Sequence, residues 1–370
     1  MVDVSSAARA RAAGPLRGLR VVEFFGLGPG PFACMLLSDM GADVVTIDRP
    51  GVRAHPGDFV ARGRRRVALD LKQTGDLETA RTLIARADVL VEGFRPGVME
   101  RIGLGPTPSL AANPRLVYAR MTGWGQEGPL AHAAGHDINY VAITGALDSF
   151  RARDGEIVSP LNLVGDYGGG ALYLAMGALA AVIEARASGR GQVVDVAMCD
   201  GVASLMTMFH SLKAMGAWPG GPRANMLDGG AHYYRVYACK DGGHISIGAI
   251  EPQFYAELLQ RCGIEDADFF AQNDRARWEH LQDRLEALFL TKTRAEWSAL
   301  LEGTDACAMA VQTMEEAPRH PHLAARQTFI EHDGRLQPAP APRFSRTPGA
   351  IQNAPAQIAL TPDEARSLWS

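Results

Sequence analysis

The sequence predicts an α/β protein, a large domain on a parallel sheet followed by a smaller α+β domain. Three observations carry this. Short apolar runs alternate with helical patterns through the first two hundred residues, as β-α-β units require. A Gly/Pro-rich break then occupies residues 217–230. Beyond it, two strand-like runs flank Lys240-Asp241-Gly242-Gly243, the chemistry of a hairpin turn. The 370 residues suffice for two domains, and 47% hydrophobic with 21% charged is the composition of a globular core with an ordinary surface. A net charge of −4 argues against nucleic acid as a partner and leaves room only for a local basic site.

The elements follow in order. Residues 19–24 form a strand that runs into Gly26-Leu27-Gly28-Pro29-Gly30-Pro31 and a helix through Phe32, Met35, Leu36 and Leu37, and residues 43–47 form the next strand. This turn is not the dinucleotide fingerprint, because Pro31 stands where its third glycine belongs. Strands are predicted at 67–71, 89–92 and 116–121, with helices over 76–86 and through Val98 and Ile102 to a turn at Gly103. The strand at 116–121 opens into the glycine-rich loop 122–129, the kind of loop that carries binding residues. A long helix ends at Gly189, a strand spans 193–198 and a helix spans 199–215. In the smaller domain, strands at 233–239 and 244–250 precede helices at 253–261, 277–290 and 294–301. Residues 337–355 hold five prolines and read as an extended surface strap. The domain limits are thus 15–216, a linker 217–230, a small domain 231–312, and a return segment 313–370 that rejoins the large domain.

Five scattered cysteines, 34, 199, 239, 262 and 307, lack framework spacing and imply reduced thiols in a cytoplasmic protein. Residues 1–14 read as a loose tail, and the longest apolar run, 171–183, is too short to cross a bilayer.

The central stretch 135–170 holds the candidate chemistry. His136 and Asp166 stand at its two ends, each before an apolar pattern of helical spacing. Asp166 reads as a helix N-cap, where the dipole favours the carboxylate, and Gly168, Gly169 and Gly170 would let a ligand approach the backbone N–H groups. Simple capping explains the same pattern. Arg53, Arg62, Arg64, Arg65 and Arg66 make a local basic excess near a strand end, which suits a phosphate-bearing ligand or a solvated surface run. His132 and His136 have the spacing of helical metal ligands, but Gly135 and Pro129 oppose a helix there, and no metal site is predicted.

Taken together, Gly28-Pro29-Gly30-Pro31, Ile47-Asp48-Arg49-Pro50, Leu69-Asp70-Leu71-Lys72, the stretches 118–126, 135–140 and 162–166, Asn225 to Gly230 and Gly248 to Tyr255 resemble the family III CoA-transferase superfamily, and within it the α-methylacyl-CoA racemases. The resemblance covers about residues 16–344. It implies a homodimer of interlocked chains, each with a Rossmann-like large domain completed by the returning C-terminal strap. It implies catalytic roles for His136 and Asp166, a hydrogen bond from Glu251 to the histidine, and a supporting Asn162. It places the CoA thioester on Arg49, Leu69, Asp70, Leu71 and Lys72, on Arg62 and Arg101, and on Gly135, Asp137 and Tyr140. Two positions depart from the pattern. Thr46 stands where relatives often carry arginine, which would weaken a phosphate contact, and His232 replaces the usual proline, which would alter the acyl pocket.

The expected reaction is inversion of the carbon next to a thioester. A weakly acidic proton leaves one face and another arrives at the opposite face, so two groups able to act as base and acid must flank one carbon. No cofactor is needed, since CoA is part of the substrate. The rival reading is a CoA-transferase in which Asp166 is the nucleophile, and that chemistry requires neither His136 nor Glu251. A third reading is a non-catalytic acyl-CoA binding protein.

Overall fold

The computed structural model describes residues 13–370. All but the end of the N-terminal tail therefore lies outside the described residues. These divide into two compact units: one holds 13–144, 160–205 and 324–370, the other 145–159 and 206–323.

The first unit is built on six strands. β1 (Arg20–Phe24) leads through the glycine turn to α1 (Pro29–Asp39), and β2 (Asp43–Asp48) and β3 (Arg65–Ala68) follow. Then come α2 (Thr74–Arg86), β4 (Val89–Glu92), α3 (Val98–Arg101), α4 (Pro106–Ala112), β5 (Val117–Thr122) and α5 (Asp137–Ile143). A π-helix, Leu163–Ala171, continues directly into α6 (Leu172–Ser188), and β6 (Gln192–Ala197) and α7 (Met198–Leu205) complete the series. The sheet order is β3-β2-β1-β4-β5-β6 and every pairing is parallel.

Alternate residues of each strand feed opposite faces. Val21, Val44, Val91 and Ala119 meet α1 and α6, whereas Val22, Val45, Leu90 and Tyr118 meet α2, Met99 and Leu104. Both faces are buried, so the strands read as continuous apolar runs rather than alternating ones.

Three local expectations shift. The strand expected at 67–71 is β3, which ends at Ala68, because Asp70 accepts from the Lys72 N–H and its own N–H donates to Asp76, turning the chain. The helix expected over 199–215 is two helices broken at Met206. Helix α4, absent from the sequence reading, starts at Pro106 with proline in its first turn.

The C-terminal segment returns to this unit. It opens with a hairpin that pairs Phe329–His332 with Arg335–Pro338, and the proline-rich stretch beyond it bonds singly: Gly63 N–H to Asn353 O at 2.7 Å, Ala350 N–H to Asp39 O at 2.9 Å, and Leu360 N–H to Arg66 O at 2.7 Å. Trp369 Nε1 donates to Asp43 at 2.7 Å.

The second unit is α+β. α8 (Thr207–Ala214) precedes β7 (Tyr234–Ala238) and β8 (His244–Gly248), then α9 (Pro252–Cys262), α10 (Trp278–Phe289), α11 (Arg294–Leu301) and β9 (Ala308–Ala310). The three strands pair antiparallel around Tyr233, Tyr237, Trp278, Phe289 and Trp297. Residues 145–159 are held here by Arg153, which pairs with Asp283 and Glu286 of α10.

Candidate active site

Between β1 and β4 the strand order reverses, and the loops leaving their carboxyl ends diverge. A crevice must open at such a point. It is a cavity of about 730 Å³ lined by the Gly26–Pro31 turn after β1, Gly93–Pro96 after β4, Met121–Trp124 after β5, and His136, Asn139, Tyr140 and Asp166.

His136 is exposed and occupies the N-cap of α5 with extended backbone, and its N–H donates to Asn139 Oδ1 at 3.0 Å. Tyr140, one turn on, stands edge-on to Trp124 with ring centroids 4.7 Å apart, and its hydroxyl donates to the Gly135 carbonyl. Gly135 and Gly123 are glycines because a Cβ would lie 2.8 Å and 2.0 Å from that ring.

Asp166 is not an N-cap. It lies inside the π-helix, whose N-cap is Asn162, and the Tyr167 N–H reaches the Asn162 carbonyl at 3.3 Å to close the wide turn. Burial holds the half-buried Asp166 carboxyl above its usual range; Asn162 Nδ2, donating at 3.1 Å, pulls it down, the Asp137 charge pushes it up, and His136 lowers it. The helix-dipole argument for a depressed carboxylate therefore fails. The glycines also serve a different purpose from the one expected. A Cβ on Gly169 would lie 2.7 Å from Val202 and one on Gly201 1.9 Å from the Gly169 carbonyl, so they let the π-helix and α7 touch. Their N–H groups belong to the helical ladder and are not presented to a ligand.

The turn after β1 completes the wall. Gly28 has φ +69°, and a Cβ there would stand 2.6 Å from Asp166 Oδ2. The sequence reading noted this glycine but gave it no contact with Asp166. It also missed Phe94, Arg95, Pro96 and Met198 as lining residues. The Gly93–Pro96 loop carried the same signal as 122–129, glycine and proline at a strand's carboxyl end.

The arginine cluster resolves into two classes. Arg62 is buried and its guanidinium is committed to Asp39 at 2.5 Å, Gln337 at 3.0 Å and the Pro338 carbonyl at 2.7 Å, which removes it from the expected CoA contacts. Arg64 is buried against Glu23 at 3.0 Å, and Arg65 and Arg66 pair with Asp43 and Asp48. Arg49, Arg53, Lys72 and Arg101 remain exposed, Arg49 at the carboxyl end of β2 and Lys72 just past β3. Leu69 is buried, and Asp70 and Leu71 are half-buried in the same turn.

Both departures turn inward. The Thr46 hydroxyl, 4% exposed, donates to Glu23 at 2.5 Å. His232 is enclosed in the second unit among Tyr233, Tyr255 and Phe269, with Nε2 2.7 Å from the Tyr255 hydroxyl. Thr46 thus serves a buried hydrogen bond and His232 core packing. Glu251 is exposed at the N-cap of α9 in the second unit.

A histidine and a carboxyl thus stand at the switch point of a doubly wound sheet, and the chain belongs to the CoA-transferase family III, whose profile matches residues 16–358. Its relatives narrow this. The chain is 46% identical to the α-methylacyl-CoA racemase of Mus musculus over 334 residues, 90% of this chain and 87% of the mouse protein. It is 41% identical to the human enzyme of that name over the same shares. The succinyl-CoA–D-citramalate CoA-transferase of Chloroflexus aurantiacus is 30% identical over 91% of this chain and 89% of its own. Among solved structures, a CaiB/BaiF family protein from Brucella suis superposes with TM-score 0.79 at 26% identity, covering 94% of this chain and 97% of its own.

Proposed function

We propose that this protein is an isomerase that inverts the α-carbon of 2-methylacyl-CoA thioesters. The observation that carries the reading is that His136 and Asp166, 30 residues apart in sequence, line one cavity in a chain this similar to racemases. One group takes the α-proton from one face, the electrons pass into the thioester as an enolate, and the other group returns a proton to the opposite face. The direction of reaction decides which acts first. A carboxyl raised by burial suits this, since an ordinary one would hold too little proton near neutrality to act as an acid. For the enolate oxygen, the Asp137 and Ile138 N–H groups precede the first bonds of α5, which Asn139 and Tyr140 give to the His136 carbonyl.

The CoA portion is assigned to exposed Arg49, Lys72 and Arg101 with the Leu69–Leu71 turn, at the carboxyl ends of strands where ligands of such sheets sit. Glu251 is assigned to the tautomer of His136, as the resemblance implies. We further propose an interlocked homodimer. Leu172, Met176 and Ile183 form an exposed apolar stripe on α6, opposite its buried Leu174, Ala178 and Ala181. A helix apolar all round is normally covered. Helix Leu163–Ser188 is long and apolar enough to cross a membrane by composition, yet half of its most apolar stretch is buried in the fold, as in a core helix. Five free thiols fit a reducing cytoplasm.

The test is deuterium incorporation at the α-carbon of a resolved 2-methylacyl-CoA in heavy water without an acceptor acid. Exchange with loss of optical purity is expected from the wild type, and His136→Ala should lose exchange from one stereoisomer first. No exchange, with CoA moved onto free carboxylic acids, would make Asp166 a nucleophile and the protein a transferase.

A further inference from the structure

Asp137 sits between the two groups that the proposed reaction uses. It follows His136 directly in the chain, and its side chain turns inward, 9% exposed. Its Oδ1 accepts the backbone N–H of Asp166 at 2.6 Å. That approach is possible because residue 165 is glycine, where a Cβ would lie 2.4 Å from the same oxygen. The other oxygen, Oδ2, is buried and finds no hydrogen-bond partner among the described residues. A buried carboxylate with one unsatisfied oxygen is a poor stabilising element, because the desolvation it suffers is only partly returned. An asparagine or serine could cap the same N–H without that cost. The charge itself therefore calls for an explanation.

We propose that Asp137 is a positioning residue for the acid–base pair, its carboxylate pinning Asp166 within the π turn and setting a second negative charge beside it. The pinning acts on geometry. A π turn is wider than an α turn and less well supported by its own hydrogen bonds, so the direction of the Asp166 side chain depends on outside contacts. Asp137 supplies one from α5, Gly28 limits the carboxylate from the turn after β1, and Asn162 donates to it from its own element. The charge acts on the proton. Like charges in proximity favour the neutral carboxyl, which is the form that returns a proton to the enolate. The other titratable neighbours are His136, which opposes this effect, and Tyr140 on α5, which itself feels Arg95 after β4 and Cys199 on α7. From the N-cap of α1 the neighbour is Gly28, which does not titrate.

This inference rests on the racemase reading only for its kinetic consequence, and the experiment separates the two. Asp137→Asn keeps an acceptor oxygen for the Asp166 N–H and removes the charge, whereas Asp137→Ala removes both. The Asp166 carboxyl is followed by ¹³C NMR of carboxyl-labelled aspartate, with Asp166→Asn to assign its signal, in wild type and in Asp137→Asn. The expected result is a titration midpoint displaced to lower pH in Asp137→Asn. The acid limb of kcat/KM should move the same way for the stereoisomer that Asp166 deprotonates. Asp137→Ala should lose kcat by about 100-fold with KM little changed, the effect of a misplaced group. An unchanged Asp166 midpoint in Asp137→Asn, whatever Asp137→Ala does, would reduce Asp137 to a structural cap and overturn the proposal. Absence of α-proton exchange in the wild type would instead overturn the racemase reading, while the NMR titration would still decide the role of Asp137.

Discussion

Two arginines show how identity and environment part company. Arg62 and Arg49 look equivalent in the sequence, both arginines near strand ends with an apparent affinity for phosphate. The structure encloses one and exposes the other. Removing one partner of a buried ion pair leaves an uncompensated charge, so Arg62→Ala should cost roughly 3–5 kcal/mol of stability, measured by denaturant titration, with CoA-thioester affinity of the folded protein unchanged. Arg49→Ala should do the reverse, weakening CoA thioesters far more than a pantetheine analogue that lacks the 3′-phosphoadenosine. His232 gives a pH prediction. Burial lowers its pKa from 6.5 to about 4, so the unfolded chain binds the proton more readily. Its contribution, about 3 kcal/mol, is fully present above pH 6.5 and is lost as the pH falls from there towards 4. His232→Gln should flatten the stability profile of the protein in that window, and an unaltered slope would show that the histidine takes up its proton without leaving the core.

At the scale of elements, the π-helix is where pattern reading failed. Asp166 followed by glycines and an apolar run has the signature of a helix start, and the sequence holds no signal for a turn of five residues rather than four. The glycines permit close approach, yet not of a ligand to their N–H groups, as the sequence suggests, but of α7. Gly201→Ala should place a methyl against the Gly169 backbone, which cannot yield as a flexible side chain could. A loss of about 3 kcal/mol is expected by thermal or denaturant melts, at the upper end of overpacking effects. Gly75→Ala, in open space within the first turn of α2, is the control and should be neutral or slightly stabilising. Hairpin β7–β8 and helices α9 to α11, in contrast, fall where turn chemistry and 3.6-residue spacing put them, since local propensity and tertiary packing agree there.

For the whole molecule, the exposed stripe on α6 sets the assembly prediction. Met176→Glu with Ile183→Glu puts two charges on a face proposed to be covered by a second copy. Analytical ultracentrifugation should show a dimer for the wild type and a monomer for the variant, with helical content retained. A wild-type monomer at micromolar concentration would refute the homodimer.

What the sequence determined alone was the alternation of strands and helices, the turn at a strand's end, the second α+β unit and the place of His136 and Asp166 at the two ends of one stretch. Each is written in local pattern or in a contiguous motif, and such signals survive without knowledge of neighbours. The tertiary structure decided which arginines are buried, what the glycines touch, that Thr46 and His232 face inward, and that Asp137 braces Asp166. These depend on groups far apart in sequence, Arg62 with Gln337 or Gly169 with Gly201, and only the packing of distant elements sets the burial and charge that give each residue its role.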